Sequence, residues 1–301
     1  MFKNNAGQVR SGWIILIAFF FMFMGQAIFM LPGMTLLSIL EISSGEVSVE
    51  IDMNSINNPW MILMTQGAAT FGGIAATLVI WRAINKKYPL DLGLRGPTKD
   101  LLFGLFLGAI SMTVIFFILL VTGNINLLNS LSQPVITTFT FSYLILFILV
   151  GFFEEMFFRG YVMKTMMERG NNKWLIYIVS ALIFSIAHAT NPNVSIFGLI
   201  NIVLVGLLFA YMFDVTRSLL LPIGFHITWN FFQGNVFGFA VSGTAPYGMY
   251  KIEMTSTNDL FTGGAFGPEG GALATILILL SFVATYFYAK SRKEKPLFSS
   301  L

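Results

Sequence analysis

The sequence predicts an all-α, polytopic membrane protein with about eight transmembrane helices. Three observations carry that prediction. First, only 10% of the 301 residues are charged, while 56% are hydrophobic and mean hydropathy is +0.78; soluble domains carry roughly 25% charge. Second, the apolar residues form long continuous runs with no alternation, which argues against a membrane β-barrel and leaves helices. Third, at roughly 20 apolar residues per span plus short loops, this length holds about eight spans in one transmembrane domain, 1–301.

The runs are 13–40, 61–81, 101–122, 138–163, 174–190, 195–213, 218–241 and 271–289. The first is too long for the apolar part of a signal peptide and has no small-residue cleavage site after it, so it reads as a retained helix. Gly72-Gly73 in the second and Gly104 and Gly108 in the third let helices approach closely. The segment 242–270 is glycine-rich and mildly acidic through Asp259 and Glu269; it reads first as a solvated connector and second as a lid. No cysteine is present, which excludes disulfides, thiolate metal sites and cysteine nucleophiles. The net charge of +3 would suggest nucleic acid in a soluble chain, but here it reports topology. Sixteen of the seventeen bases fall on alternate sides of the runs, starting with Lys3 and Arg10 and ending with Lys290, Arg292, Lys293 and Lys295. Only Lys251 falls on the other side, where the 41–60 loop carries Glu41, Glu46, Glu50 and Asp52. The positive-inside rule then puts both termini in the cytoplasm. Short loops and no targeting signal point to a prokaryotic plasma membrane.

Ionisable groups inside apolar runs are costly and mark function. Five stand out: Glu154, Glu155 and Arg159 in the fourth run, His188 late in the fifth, and His226 in the seventh. Glu155 and Arg159 are four apart with the acid first, the favourable order for an ion pair on one helix face. Glu154 lies about 100° round the helix and is left for another role. His226 and Asn230 are one turn apart on one face. Asn201 in the sixth run reads as structural. At about 1.5 Å per residue, all of these fall within the apolar core, with His188 nearer the outer side. Carboxylate, histidine and amide together suit peptide hydrolysis. A carboxylate can act as general base on water, an imidazole can orient that water, and a histidine with an amide can hold an oxyanion. With the carboxylate as base, no cofactor is required. A divalent metal such as zinc is the other option, with Glu154, His188 and His226 as its ligands.

The motifs Glu154-Glu155-Met-Phe-Phe-Arg159, Phe184-Ser-Ile-Ala-His188 and His226-Ile-Thr-Trp-Asn230, on separate apolar runs in that order, resemble the CPBP family. These are CAAX proteases and bacteriocin-processing proteins, also called Abi, related to the Rce1-type prenyl proteases. The resemblance covers 138–240, the family's catalytic core. It implies a hydrolase of eight helices, an intramembrane endopeptidase with a cavity opening toward the cytosol. Glu154 and His188 would activate water, His226 and Asn230 would form the oxyanion site, and Glu155 and Arg159 would support them. It implies either a glutamate or a metallo-endopeptidase type. The partners are a membrane protein or peptide substrate, lipidated in some relatives, and the bilayer, with no nucleic acid. Two other readings compete: a proton-coupled transporter and a non-catalytic membrane scaffold. The polar set has no counterpart in the first three runs, as a transporter built from repeats would require.

Overall fold

A computed structural model describes residues 2–4, 6–44, 58–244, 247–292 and 295–299. Lys293 and the acids Glu46, Glu50 and Asp52, used above for topology, lie outside them. Each predicted run is a helix: α1 Ser11–Ser44, α2 Pro59–Ile84, α3 Thr98–Val121, α4 Thr138–Glu168, α5 Lys173–Ala187, α6 Ile196–Thr216, α7 Leu220–Phe231 and α8 Ala272–Lys290. Six are long and apolar enough to cross a membrane. The prediction of about eight counted α5 and α7 as well, and both are shorter. α5 nevertheless exposes an apolar stripe at a four-residue interval, Trp174, Ile178, Leu182 and Ile186, as a helix facing lipid does. α7 is buried almost throughout.

Local chemistry sets where several helices start. The Asn58, Asn172 and Ser195 side chains accept hydrogen bonds from the backbone N–H of Trp60, Leu175 and Gly198, all at 2.9 Å. Such caps satisfy donors that the first turn leaves unpaired. Two helices change winding along their length. α2 is π-helical over Leu63–Gly67, and α4 over Glu155–Met163. α7 continues as a π-helical stretch, Phe232–Val236.

Glycine sets the closest helix approaches. A Cβ on Gly72 of α2 would stand 2.3 Å from the Gly25 carbonyl oxygen of α1. One on Gly104 of α3 would stand 2.2 Å from Leu221 O, and one on Gly108 2.3 Å from Phe225 O, both in α7. The small-residue reading therefore holds at both pairs, and the second brings α7 into the middle of the bundle. One feature departs from an all-helical fold. β1 Ile125–Leu127 pairs antiparallel with β2 Ile252–Met254, tying the uncharged 123–137 loop to the 242–270 loop.

Two further acids are fully buried near the helix ends rich in bases. Asp214 accepts from Tyr177 Oη at 2.8 Å and from the Phe298 backbone at 2.7 Å, and pairs with Lys173 at 2.6 Å. Asp100 accepts from Tyr288 Oη at 2.6 Å and pairs with Arg292. Both are partnered and hold the C-terminal segment against the bundle.

Candidate active site

The first motif sits where α4 changes from α to π winding, a feature often found at functional sites. Gly151 lets the helix close on Ile227 of α7. Glu154 is the last α-helical residue and faces a cavity; Glu155 opens the π stretch and faces inward. Arg159 Nη1 donates to Glu155 Oε1 at 2.9 Å, and neither side chain is exposed. The guanidinium lies 4.2 Å from the Phe184 ring centroid and 5.1 Å from that of Phe209, within cation–π range. The predicted separation of the two acids is thus realised: one is neutralised within the bundle and the other is free.

Both histidines meet Glu154. His188 caps the C-terminal end of α5, and its Nδ1 is 2.8 Å from Phe184 O. A carbonyl only accepts, so Nδ1 donates, and the ring turns its Nε2 toward Glu154 Oε2 at 4.0 Å. His226 Nδ1 lies 3.0 Å from Glu155 Oε1, a carboxylate already paired with Arg159, so it too donates. Its Nε2 lies 3.8 Å from the same Glu154 Oε2. That oxygen is buried with no hydrogen-bond partner. Asn230 lines the cavity one turn after His226, and its amide makes no hydrogen bond among the described residues.

These groups line a cavity of about 340 Å³ between α1, α4, α5, α6, α7 and the segment 241–269. Asn201 lies in its wall. Its Nδ2 donates to the carbonyls of Glu269 at 2.8 Å and Gly271 at 2.9 Å, as its structural reading expects. Sequence reasoning missed Glu269 itself, which lines the cavity from the loop. No local signal marks it: an acid in a glycine-rich loop normally faces water, and only the distant Asn201 anchor turns it inward. Within the 242–270 segment, Phe266 and Pro268 are buried and Glu269 lines the cavity, so this part of the segment packs against the site.

Spacing bears on a metal. Tetrahedral ligands at about 2.0–2.1 Å from zinc stand roughly 3.4 Å apart. Glu154 Oε2 stands 4.0 Å from His188 Nε2 and 3.8 Å from His226 Nε2, wider than that, and no group of three or more His, Asp or Glu among the described residues is arranged to hold an ion. The separations suit a water bridging carboxylate and imidazole, since two hydrogen bonds of about 2.8 Å reach roughly 4 Å at a right angle. The cavity also has a direction. Part of its lining, from the C-terminal end of α5, Asn191, Val241, Ser242, Thr244 and Glu269, lies at the base-poor end of the bundle, and the rest, including Gln26, Glu154, Phe209 and His226, comes from within the helices.

No curated protein and no solved structure matches the chain. Residues 135–232 match the family model for type II CAAX prenyl endopeptidases, Rce1-like. That stretch contains Glu154, Glu155, Arg159, His188, His226 and Asn230, and it excludes Glu269. Over residues 135–232, about a third of the chain, the protein is thus similar to the Rce1-like CAAX prenyl endopeptidases.

Proposed function

We propose that the protein is an intramembrane endopeptidase of the glutamate type, cleaving a peptide bond of a membrane-associated protein or peptide. The observation that carries this reading is the convergence of both Nε2 atoms on the unpartnered Glu154 Oε2, inside the stretch that matches an endopeptidase family. Water held between Glu154 and His188 attacks the carbonyl carbon while Glu154 takes its proton. The oxyanion receives hydrogen bonds from Asn230 Nδ2 and from protonated His226 through Nε2–H. Glu155 anchors His226 at Nδ1, and the flanking carboxylates balance the imidazolium charge. Glu154 then returns the proton to the leaving amine as the intermediate collapses. We place the protein in a prokaryotic plasma membrane with both termini cytoplasmic, on the base distribution.

A metallo-endopeptidase is the second reading, favoured by the same convergence. Zinc, when bound, would polarise the carbonyl and lower the pKa of its water, and Glu154, His188 and His226 would have to close by several tenths of an ångström to hold it. Purified protein in nanodiscs, dialysed against a strong chelator and assayed for peptide cleavage beside its metal content, tests the two. Activity that survives in metal-free protein and is absent in Glu154→Gln fits the glutamate reading. Activity lost with the metal and restored by zinc contradicts it.

A further inference from the structure

A second hollow lies away from the active site, at the base-rich end of the bundle. It measures about 590 Å³ and opens between the 4–10 segment, the start of α1, the turn after α4 and one face of α5. Its two ends differ in chemistry. Arg10, Arg169, Asn4 and Asn171 line the polar end. Leu16, Phe19, Val179 and Ile183 line the other, roughly 8–15 Å into the helices at about 1.5 Å per residue. The polar end is fixed by the fold. Asn171 Nδ2 donates to Ser11 Oγ at 3.1 Å and to Met166 O at 2.8 Å, tying the start of α1 to the turn after α4. Asn4 Nδ2 donates to Arg169 O at 3.5 Å, and Arg10 Nε to Lys3 O at 3.1 Å. Phe2 stacks on Trp13 with ring centroids 4.8 Å apart, an aromatic pair of the kind that sits at headgroup level.

The positive charge at this end has no counter-charge. No acid lines the hollow. Neither Arg10 nor Arg169 forms an ion pair among the described residues. Glu168, next to Arg169 in the chain, is taken by Lys87 and Asn85. Arg169 Nε is buried with no hydrogen-bond partner among the described residues, so the protein leaves this guanidinium incompletely paired. Ser11 and Gly12 also line the hollow and open the 34-residue α1, whose first N–H groups and dipole favour an anion. A soluble anion would engage the arginines and leave the apolar end unused; a molecule with a phosphate at one end and a hydrocarbon chain at the other uses both. The other basic hollow at this end, with Lys87, Arg95, Lys164 and Arg217, holds its own acid, Asp91, and Leu90 is its one apolar side chain among the described residues.

We propose that this hollow binds one anionic glycerophospholipid of the surrounding leaflet, its phosphate between Arg10 and Arg169 and an acyl chain along Leu16, Phe19, Val179 and Ile183. Charge complementarity selects the headgroup. Each arginine near the surface contributes roughly fivefold to affinity for an anionic lipid. A zwitterionic lipid brings the same phosphate together with a cation, and no acid here receives that cation. On the orientation proposed above, the leaflet is the cytoplasmic one, where anionic lipids make the surface potential negative. The proposal does not depend on the endopeptidase reading, since the hollow shares no lining residue with the active-site cavity.

The test is native mass spectrometry of the full chain in detergent, titrated with dioleoyl phosphatidylglycerol or dioleoyl phosphatidylcholine, with thermal melting as the folding control. Wild type is expected to take up one phosphatidylglycerol at least about tenfold more tightly than phosphatidylcholine. The double variant Arg10→Gln/Arg169→Gln should lose at least about tenfold in affinity for phosphatidylglycerol by the same arithmetic. Arg95→Gln/Lys99→Gln removes as much charge from exposed positions at the same end of the bundle and should change that affinity little. Should the double variant fail to fold, Arg10→Gln alone, at an exposed position, should lose roughly fivefold. Equal affinity for the two lipids overturns the proposal. Equal losses in the two double variants, or no loss in Arg10→Gln where it stands alone, overturn it as well, because the attraction would then belong to the whole basic surface or to neither arginine. Inorganic phosphate and glycerophosphoglycerol, the headgroup without its chains, are added as competitors. Neither should displace the lipid at equal concentration; displacement by either would make the hollow a soluble-anion site and overturn the lipid as its occupant.

Discussion

Glu155 and Arg159 hold each other at 2.9 Å with no exposure, and that pairing leaves Glu154 as the acid facing the cavity. Arg159→Met would strand the Glu155 charge among buried groups. Breaking a buried pair from one side costs about 3–5 kcal/mol, so the melting temperature in detergent should fall sharply; an unchanged melt would contradict this account of the pair. Asn230 makes the opposite case. Its amide has no protein partner among the described residues, so Asn230→Ala should melt close to wild type. Loss of one oxyanion donor lowers kcat by about 10²–10³, and kcat should fall by that order with KM little changed. A wild-type kcat would remove Asn230 from the oxyanion site. These residues were legible in the sequence because an ionisable group inside an apolar run needs a reason. Glu269 was not legible, because its inward orientation depends on Asn201, 68 positions away.

The helices were legible as apolar runs, and their finer structure was not. The π winding at Glu155–Met163 uses the same residue types as an α-helix, and β1 and β2, three residues each, are too short to show an alternating pattern. The glycine contacts were legible in kind, and only the structure pairs them. Gly104 and Gly224 face each other across α3 and α7: a Cβ on Gly224 would stand 2.5 Å from Leu101 O. Gly224→Val should force α7 outward, at a cost of about 1–3 kcal/mol for an overpacked contact. Because His226 and Asn230 ride on α7, the same variant should lose cleavage even at temperatures where it remains folded. Melting and activity measured together check this, and full activity with a lowered melt would mean that α7 position does not govern the site.

For the whole molecule, charge and cavity give opposite cues. The proposed orientation puts the base-rich helix ends in the cytoplasm, while part of the cavity lining lies at the base-poor ends. On that orientation this part of the lining is on the side away from the cytosol, whereas the family resemblance implies a cytosolic opening. The chain has no cysteine, so single cysteines report sidedness cleanly. In intact cells, Thr244→Cys beside the cavity should react with a membrane-impermeant maleimide, and Arg169→Cys only after lysis. The reverse pattern would contradict the orientation. The most direct test of the central claim, that Glu154 drives peptide hydrolysis, is terminal-peptide mass spectrometry on membranes with wild type or Glu154→Ala at matched abundance. The account predicts new peptide ends that appear with wild type and vanish with Glu154→Ala. The same new ends in both membranes would contradict it.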